Sequence, residues 1–159
     1  MTIDRLDARL LLLLRERPRI GLVEAARILG VARGTVQARL GKLEGACIVT
    51  GYGPDIDTNR LGFPILAFIG IELQQGRLEE AIAVLREIPE VLEVHGTTGQ
   101  EDLLCRVATR DPGHLQAVIG RILAAHAVQR TSTHIVLSEQ IPFRTGPLLG
   151  LASKPTTPG

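Results

Sequence analysis

The sequence predicts an α+β chain in two parts: an N-terminal three-helix bundle carrying a (winged) helix-turn-helix, then a C-terminal ferredoxin-like βαββαβ domain. Three observations predict it. Leu22 to Leu43 reads as two short amphipathic helices hinged at Gly30. The hydrophobic period then changes near Phe63, from helical spacing to strand-like runs. Finally, the order strand, helix, strand, strand, helix, strand follows to about Gln140, which is the split β-α-β arrangement.

Each element has its own signal. Leu6, Leu10, Leu13 and Leu14 recur at helical steps from Asp4 to Arg17, and Pro18 ends that helix. Leu22–Leu29 and Ala32–Gly45 form the hinged pair, in which Ala25 and Ala26 are small enough for close helix approach. Gly30 fits a left-handed hinge at low steric cost. Val31, Val36, Leu40 and Leu43 mark the inner face of the second helix. Ile48 to Ile56 reads as extended, and Asp57 to Gly62 as turn-rich. Strands are expected at Phe63–Leu73, Val91–Thr98, Leu103–Thr109 and Val128–Gln140, with helices at Leu78–Ile88 and from Asp111 to about Ala125. Asp111 can cap the latter helix and Pro112 suits its first turn. The domains are then 1–50, a linker 51–62, a ferredoxin-like domain 63–143, and a flexible Pro/Gly/Thr/Ser-rich tail 144–159. Both faces of Phe63–Leu73 are apolar, so the sheet needs a cover, and a second copy of the chain is the simplest one.

Composition narrows the function. The 159 residues are 45% hydrophobic and 22% charged, which suits a globular chain. Aromatics make up 3% and Trp is absent, which argues against base-stacking single-strand or RNA modules. Residues 1–50 hold nine Lys/Arg against five Asp/Glu, leaving +4, while residues 51–159 hold nine against twelve, leaving −3. A basic first part beside an acidic second part suits a nucleic-acid-contacting segment tethered to one with another task. Cys47 and Cys105 share no metal-like spacing and read as reduced thiols. His95, His114, His126 and His134 are scattered, and no metal site, cofactor motif, phosphate loop or catalytic triad appears. With no signal sequence or long apolar run, a soluble cytoplasmic protein without membrane association is expected.

The hinged helices point to double-stranded DNA, because the second helix of such a motif enters the major groove. Its outer face carries Arg33, Thr35, Gln37, Ala38, Arg39 and Lys42. Arg33, Arg39 and Lys42 suit phosphates or guanines, Gln37 suits a bidentate pair with adenine, and Ala38 suits a thymine methyl. Arg39 has a second reading, a structural pair with a nearby carboxylate. The whole motif also has a plainer one, a helical hairpin with a solvated cationic face.

A series of short motifs runs from about Ile3 to Ile141: Leu6-Asp7 and the following leucines, Val36-x-x-Arg39-Leu40-x-x-Leu43-Glu44, Gly51-Tyr52 and Leu61-Gly62. Pro89-Glu90-Val91, Gly99-x-x-Asp102 and Arg130-Thr131-x-Thr133 continue it. In their order and spacing the chain resembles the leucine-responsive regulatory protein (Lrp) and AsnC family of transcription regulators. The resemblance implies a helix-turn-helix joined by a linker to a ligand domain, self-association as dimers that often assemble into octamers, and control by a small effector, often an amino acid. Three departures stand out. Ala32 replaces a common Ser that opens the recognition helix. Cys47 replaces a common Gly just beyond it, so that Gly45 is expected to take over termination. Gly34 and Gly41 lie inside it, each weakening the helix by roughly 1 kcal/mol. Gly34 either lets the backbone approach a base pair or reflects slack at a helix start.

The resemblance also directs attention to Gly99, Gln100, Glu101 and Asp102, with Thr131 and Thr133, as effector-binding residues. Successive turn N–H groups can cradle a carboxylate, Asp102 can pair with an ammonium, and the threonine hydroxyls can serve either. The same four residues also make an ordinary hairpin turn. Two alternatives to an effector-controlled regulator follow. One is an effector-independent DNA-architectural protein. The other is an enzyme of similar architecture, a haem-precursor decarboxylase, against which the net −3 of the second part and the dispersed histidines argue; no enzyme activity is expected.

Overall fold

A computed structural model describes residues 3–153. The chain divides into two compact units, one comprising residues up to Pro54 together with those from Ile141 onward, the other Asp55–Gln140.

The first unit begins with α1 (Arg5–Glu16). Asp4 caps it, accepting from the backbone N–H groups of Leu6 at 2.8 Å and Asp7 at 2.9 Å. Asp7 returns the contact by accepting from the Asp4 N–H at 3.1 Å, a reciprocal box that satisfies otherwise orphaned donors. Helix α2 (Leu22–Leu29) stops at Gly30, whose φ of 71° is left-handed, and the Val31 N–H closes the end on the Ala26 carbonyl. Helix α3 (Arg33–Gly45) follows. Leu10, Leu13, Ala25, Ala26, Leu29, Val36 and Leu43 form the core, as the helical spacing predicts.

Termination of α3 corrects the expectation placed on Gly45. Gly45 is the last helical residue, and the left-handed position falls on Cys47, at φ 54°. The Ile48 N–H reaches back to the Leu43 carbonyl there, which fixes that position whatever its side chain. Residues 48–57 form neither helix nor strand, and Asp57 opens a turn over 58–62.

The second unit is built from β1 (Ile65–Leu73), α4 (Leu78–Arg86), β2 (Val91–Gly96), β3 (Leu103–Thr109), α5 (Pro112–Leu123) and β4 (Val128–Ile135). The sheet order is β2-β3-β1-β4, with every pairing antiparallel. Asp111 caps α5 through the His114 N–H, with Pro112 in the first turn. Ala67, Ile69 and Ile71 of β1 share a core with Leu103, Cys105 and Val107 of β3 and with Ala81, Leu85, Leu115, Val118 and Ile122 of the two helices. Ile69 is therefore interior rather than part of the other sheet face. That other face carries Leu66, Phe68 and Gly70, and the register sets them beside Ala108, Arg106 and Leu104 on β3. Phe68 and Gly70 also face His134 and Ser132 on β4, so the face is mixed rather than wholly apolar.

β4 ends five residues earlier than the pattern suggests. Its last tie is the Val136 N–H to the Leu66 carbonyl at 2.8 Å, and Leu137 is fully exposed. Within 144–159, where composition suggests a flexible tail, the structure has helix α6 (Gly146–Ala152), which packs on α1. Leu149 joins the partly buried residues around the first unit's core while Leu148 and Leu151 stay exposed, and a single inward-facing leucine on a short helix is too sparse for a composition argument to register. Residues 154–159 lie outside the described part.

Candidate nucleic-acid interface and effector turn

Val36 and Leu43 are buried beneath α3, which turns Arg33, Gln37, Ala38 and Lys42 outward; all four are exposed and Thr35 is half-buried. A shallow concavity of about 510 Å³ runs along this face, lined by Asp4, Gly34, Thr35, Ala38, Arg39 and Lys42. A Cβ at Gly34 or Gly41 would meet nothing within 4 Å, so intramolecular packing does not require glycine at either position. Ala32 caps α3 without a side-chain hydrogen bond, as its side chain dictates.

Arg39 departs from the outward-facing set. Its Nη1 donates to Asp4 Oδ2 at 2.6 Å and to Asp7 Oδ1 at 2.7 Å. The Asp7 side chain is 1% exposed and that of Arg39 28%. A carboxylate this deep needs a charged partner, so Arg39 takes the structural role, locking α3 to the start of α1. The Arg39 hydrogen bond, with help from the Asp7 backbone, holds the Asp4 carboxyl below its ordinary range. Arg39 also neutralises Asp4, the one acid that lines this concavity. Arg33 and Lys42 form no ion pair among the described residues. At the far end of α3, the Tyr52 hydroxyl donates to Glu44 at 2.6 Å; burial, then the Glu44 carboxylate, pushes its pKa up to about 12.

In the second unit, the turn after β2 is fastened closely to the sheet. The Asp102 N–H donates to the Ile71 carbonyl at 2.9 Å, and Asp102 Oδ2 accepts from the Leu73 N–H at 2.7 Å. Thr97 donates its hydroxyl to the Glu101 carbonyl at 2.6 Å and its N–H to the Asp102 carbonyl at 2.9 Å. Gly99 sits at φ 133°, a conformation costly for any residue with a Cβ. Gly99, Gln100 and Asp102 are exposed.

Glu101 behaves differently from its neighbours. Its side chain crosses β1 at Gly70, where a Cβ would lie 2.6 Å from Glu101 Cγ. It ends at Ser132 on β4, whose hydroxyl donates to Oε1 at 3.2 Å. Thr131 and Thr133 pair with Ile71 and Ile69 and so lie on the helix-covered side of β4, opposite Ser132. The sequence-predicted set is thus divided. The four turn residues are together, while the two threonines are a strand away and on the other face from the Glu101 contact. Ser132 was missed, although Gly70 inside a strand is the kind of signal that marks a close approach. Among the described residues no group of three or more His, Cys, Asp or Glu is placed to hold a metal. Cys105 is buried, which pushes its thiol pKa up to about 11, and Cys47 is exposed; neither forms a disulfide.

Comparison with known proteins fits this geometry. Residues 3–44 match the AsnC-type helix-turn-helix domain, and residues 66–145 match the Lrp/AsnC ligand-binding domain. The regulatory protein AsnC of Escherichia coli is 36% identical over 141 residues, covering 87% of this chain and 93% of that protein. The solved structure of E. coli AsnC superposes with a TM-score of 0.86 at 34% identity, covering 92% of this chain and all of the other. A transcriptional regulator of Neisseria meningitidis, NMB0573, solved as its L-Met complex, has a TM-score of 0.82 at 28% identity, covering 89% of this chain and 94% of that one. Relatives of this kind are transcriptional regulators rather than enzymes. No helix of the described residues is long and apolar enough to cross a membrane.

Proposed function

Because the chain belongs to the Lrp/AsnC family of DNA-binding transcription regulators, we propose that its second unit adjusts operator binding in response to a small molecule, an amino acid, held at the 97–102 turn. The observation that carries this reading is the state of that turn. It is rigidly fastened, exposed at Gly99 and Gln100, and keeps one carboxylate oxygen of Asp102 outside the bond to Leu73. An ammonium can pair there, with turn N–H groups holding the carboxylate. The L-Met complex of the Neisseria relative supports the ligand class. On DNA, Arg33 and Lys42 serve as the cationic contacts, and Gln37, Ala38 and Thr35 face the groove. Arg39 stays in its internal lock.

Self-association belongs to the same reading. The face of Phe68, Leu66 and Arg106 is free of the unit's own helices, and Arg106 Nε is buried without a hydrogen-bond partner among the described residues. A second copy covering this face gives at least a dimer.

The test is operator titration at several salt concentrations with each of the twenty amino acids. The Arg33→Ala, Lys42→Ala double variant should reduce the log–log salt slope by about 0.9 per lost phosphate contact. One amino acid should shift wild-type affinity by roughly 5–150-fold and leave Asp102→Ala unmoved. An unchanged salt slope removes these cations from the interface, and a wild type indifferent to all twenty rejects the amino-acid effector and favours an architectural role. Phe68→Asp should lower the sedimenting mass, and a wild-type monomer contradicts assembly.

A further inference from the structure

We infer that the C-terminal helix α6 is a strap through which strand β4 acts on the recognition helix, by way of α1. The inference rests on the regulator reading above, and every link in it is local. The chain leaves β4 at Val136, whose N–H is tied to Leu66 of β1. It then runs through residues 137–145 into α6, which belongs to the first unit. Leu149 packs beside the core of that unit. Gly146 lies so close to α1 that a Cβ there would sit 3.0 Å from Arg15 Nη1 and 3.8 Å from Leu12 Cδ2. Helix α1 is thereby held from its C-terminal half by α6. Its N-terminal end, at Asp4 and Asp7, holds α3 through Arg39.

The topology makes this consequential. The second unit is an insertion between two segments of the first, so both of its ends lead into the DNA-binding unit. The strand at one of those ends, β4, receives Glu101 from the 97–102 turn through Ser132. A change in that turn reaches β4 through one side chain. It reaches α6 through nine residues of chain, and α3 through α1 and one guanidinium. The route needs no contact between the units beyond the covalent chain: its two ends, Glu101 on Ser132 and α6 on α1, are bonded or packed, and the exposed residues 137–145 join them.

The test uses the full chain with no DNA or amino acid present, so its outcome is separate from that of operator binding. Amide exchange is followed in α1, in α3 and in β3 for three variants. Leu149→Asp removes the grip of α6 and should speed exchange at Leu10 and Leu13 on the order of tenfold. Leu151→Asp places the same charge on a residue 65% exposed on the same helix and should leave those amides at the wild-type rate. Val136→Pro deletes the bond at the root of the strap, in the other unit, and should also speed exchange in α1 and α3 while β3 keeps its wild-type protection. Wild-type exchange in α1 of Val136→Pro overturns the relay. Wild-type exchange in Leu149→Asp overturns the strap altogether, as does equal acceleration by Leu151→Asp.

Discussion

Helix α3 and the 97–102 turn each face a ligand in this reading, yet they are ordered by opposite means. The turn is fastened by its own backbone and by short side chains within it: Asp102 to β1 twice, Thr97 to Glu101 and Asp102. Helix α3 has little local support. Its cap is Ala32, which offers no side-chain acceptor, Gly34 and Gly41 interrupt its interior, and a non-glycine residue holds the left-handed position after it. Its order comes from outside, through Val36 and Leu43 in the core and Arg39 on two aspartates of α1. A preformed turn suits a small rigid ligand. A helix whose order is imposed from outside is open to influence by whatever touches α1.

The largest expected effect comes from cutting the external support. Arg39→Ala leaves Asp7, 1% exposed, as a buried carboxylate without its cation. Removing one partner of such a pair costs on the order of 3 kcal/mol, reduced here because Arg39 itself is partly exposed. Urea denaturation should show the loss, and amide exchange should place it in α1 and α3 rather than the sheet. Arg33→Ala, by contrast, should leave stability within about 0.5 kcal/mol. Equal stability of the two variants contradicts the lock.

Next is the seat of Glu101. Gly70→Ala puts a methyl 2.6 Å from Glu101 Cγ, so the carboxylate must leave Ser132. The expected loss is about 1–2 kcal/mol, since the displaced bond is one to a charged acceptor. It should be accompanied by faster exchange at β4. The turn's own bonds to β1 should survive, because they do not pass through Glu101. If Gly70→Ala instead loosens the Asp102 N–H, the turn is less self-sufficient than its bonding implies.

Differences in legibility follow the same division. The core of the first unit was readable because Leu10, Leu13, Val36 and Leu43 obey one period. The sheet was readable because Ala67, Ile69 and Ile71 alternate with the opposite face. Local chemistry was readable too: Gly30 at the hinge, Asp111 at a cap, Gly99 in a turn. What was not readable depends on partners distant in sequence. The two roles open to Arg39 could be separated only by knowing that Asp4 and Asp7 lie beside it. The contact of Glu101 with Ser132 needed the sheet register, and the docking of α6 needed knowledge of which surface of α1 was still open. Cys47 is the informative local miss, because glycine at position 45 looked the natural stop. The helix end is instead set by which carbonyl the Ile48 N–H reaches.

Smaller effects should appear where α3 lacks local support, and they should have the opposite sign. Cys47→Gly relieves a left-handed conformation at φ 54° that costs a β-carbon-bearing residue roughly 1–2 kcal/mol, offset in part by glycine's greater chain entropy. Ala32→Ser supplies a missing acceptor for about 1 kcal/mol. Both should raise the melting temperature. The comparison sharpens if neither changes operator affinity, since a helix already ordered through α1 gains stability but no new geometry. A several-fold rise in affinity would show instead that wild-type α3 is partly unfolded before it meets DNA.

The smallest effect is one of pH, and it separates the units. The hydrogen bond from Arg39, then the Asp7 backbone N–H, lowers the Asp4 carboxyl from its ordinary 3.8. Burial pushes Glu90 up, but the bonds from His114 and Arg121 outweigh it, leaving that carboxyl below 4.5. A carboxyl with a folded-state pKa below its unfolded value contributes stability that is complete above the unfolded pKa and is lost as pH falls through the folded one. Acid should therefore weaken the first unit through Asp4 and the second through Glu90. Asp4 is more than half exposed, so its share is small and falls further with salt. Amide exchange from about pH 5 down to pH 3, corrected for the intrinsic rate, resolves the two. Asp4→Asn should flatten the acid loss of protection in α1 and leave that of β3 unchanged, and Glu90→Gln should do the reverse. If either variant flattens both profiles, the units do not soften independently in acid, and acid stability has to be assigned to the chain as one cooperative body.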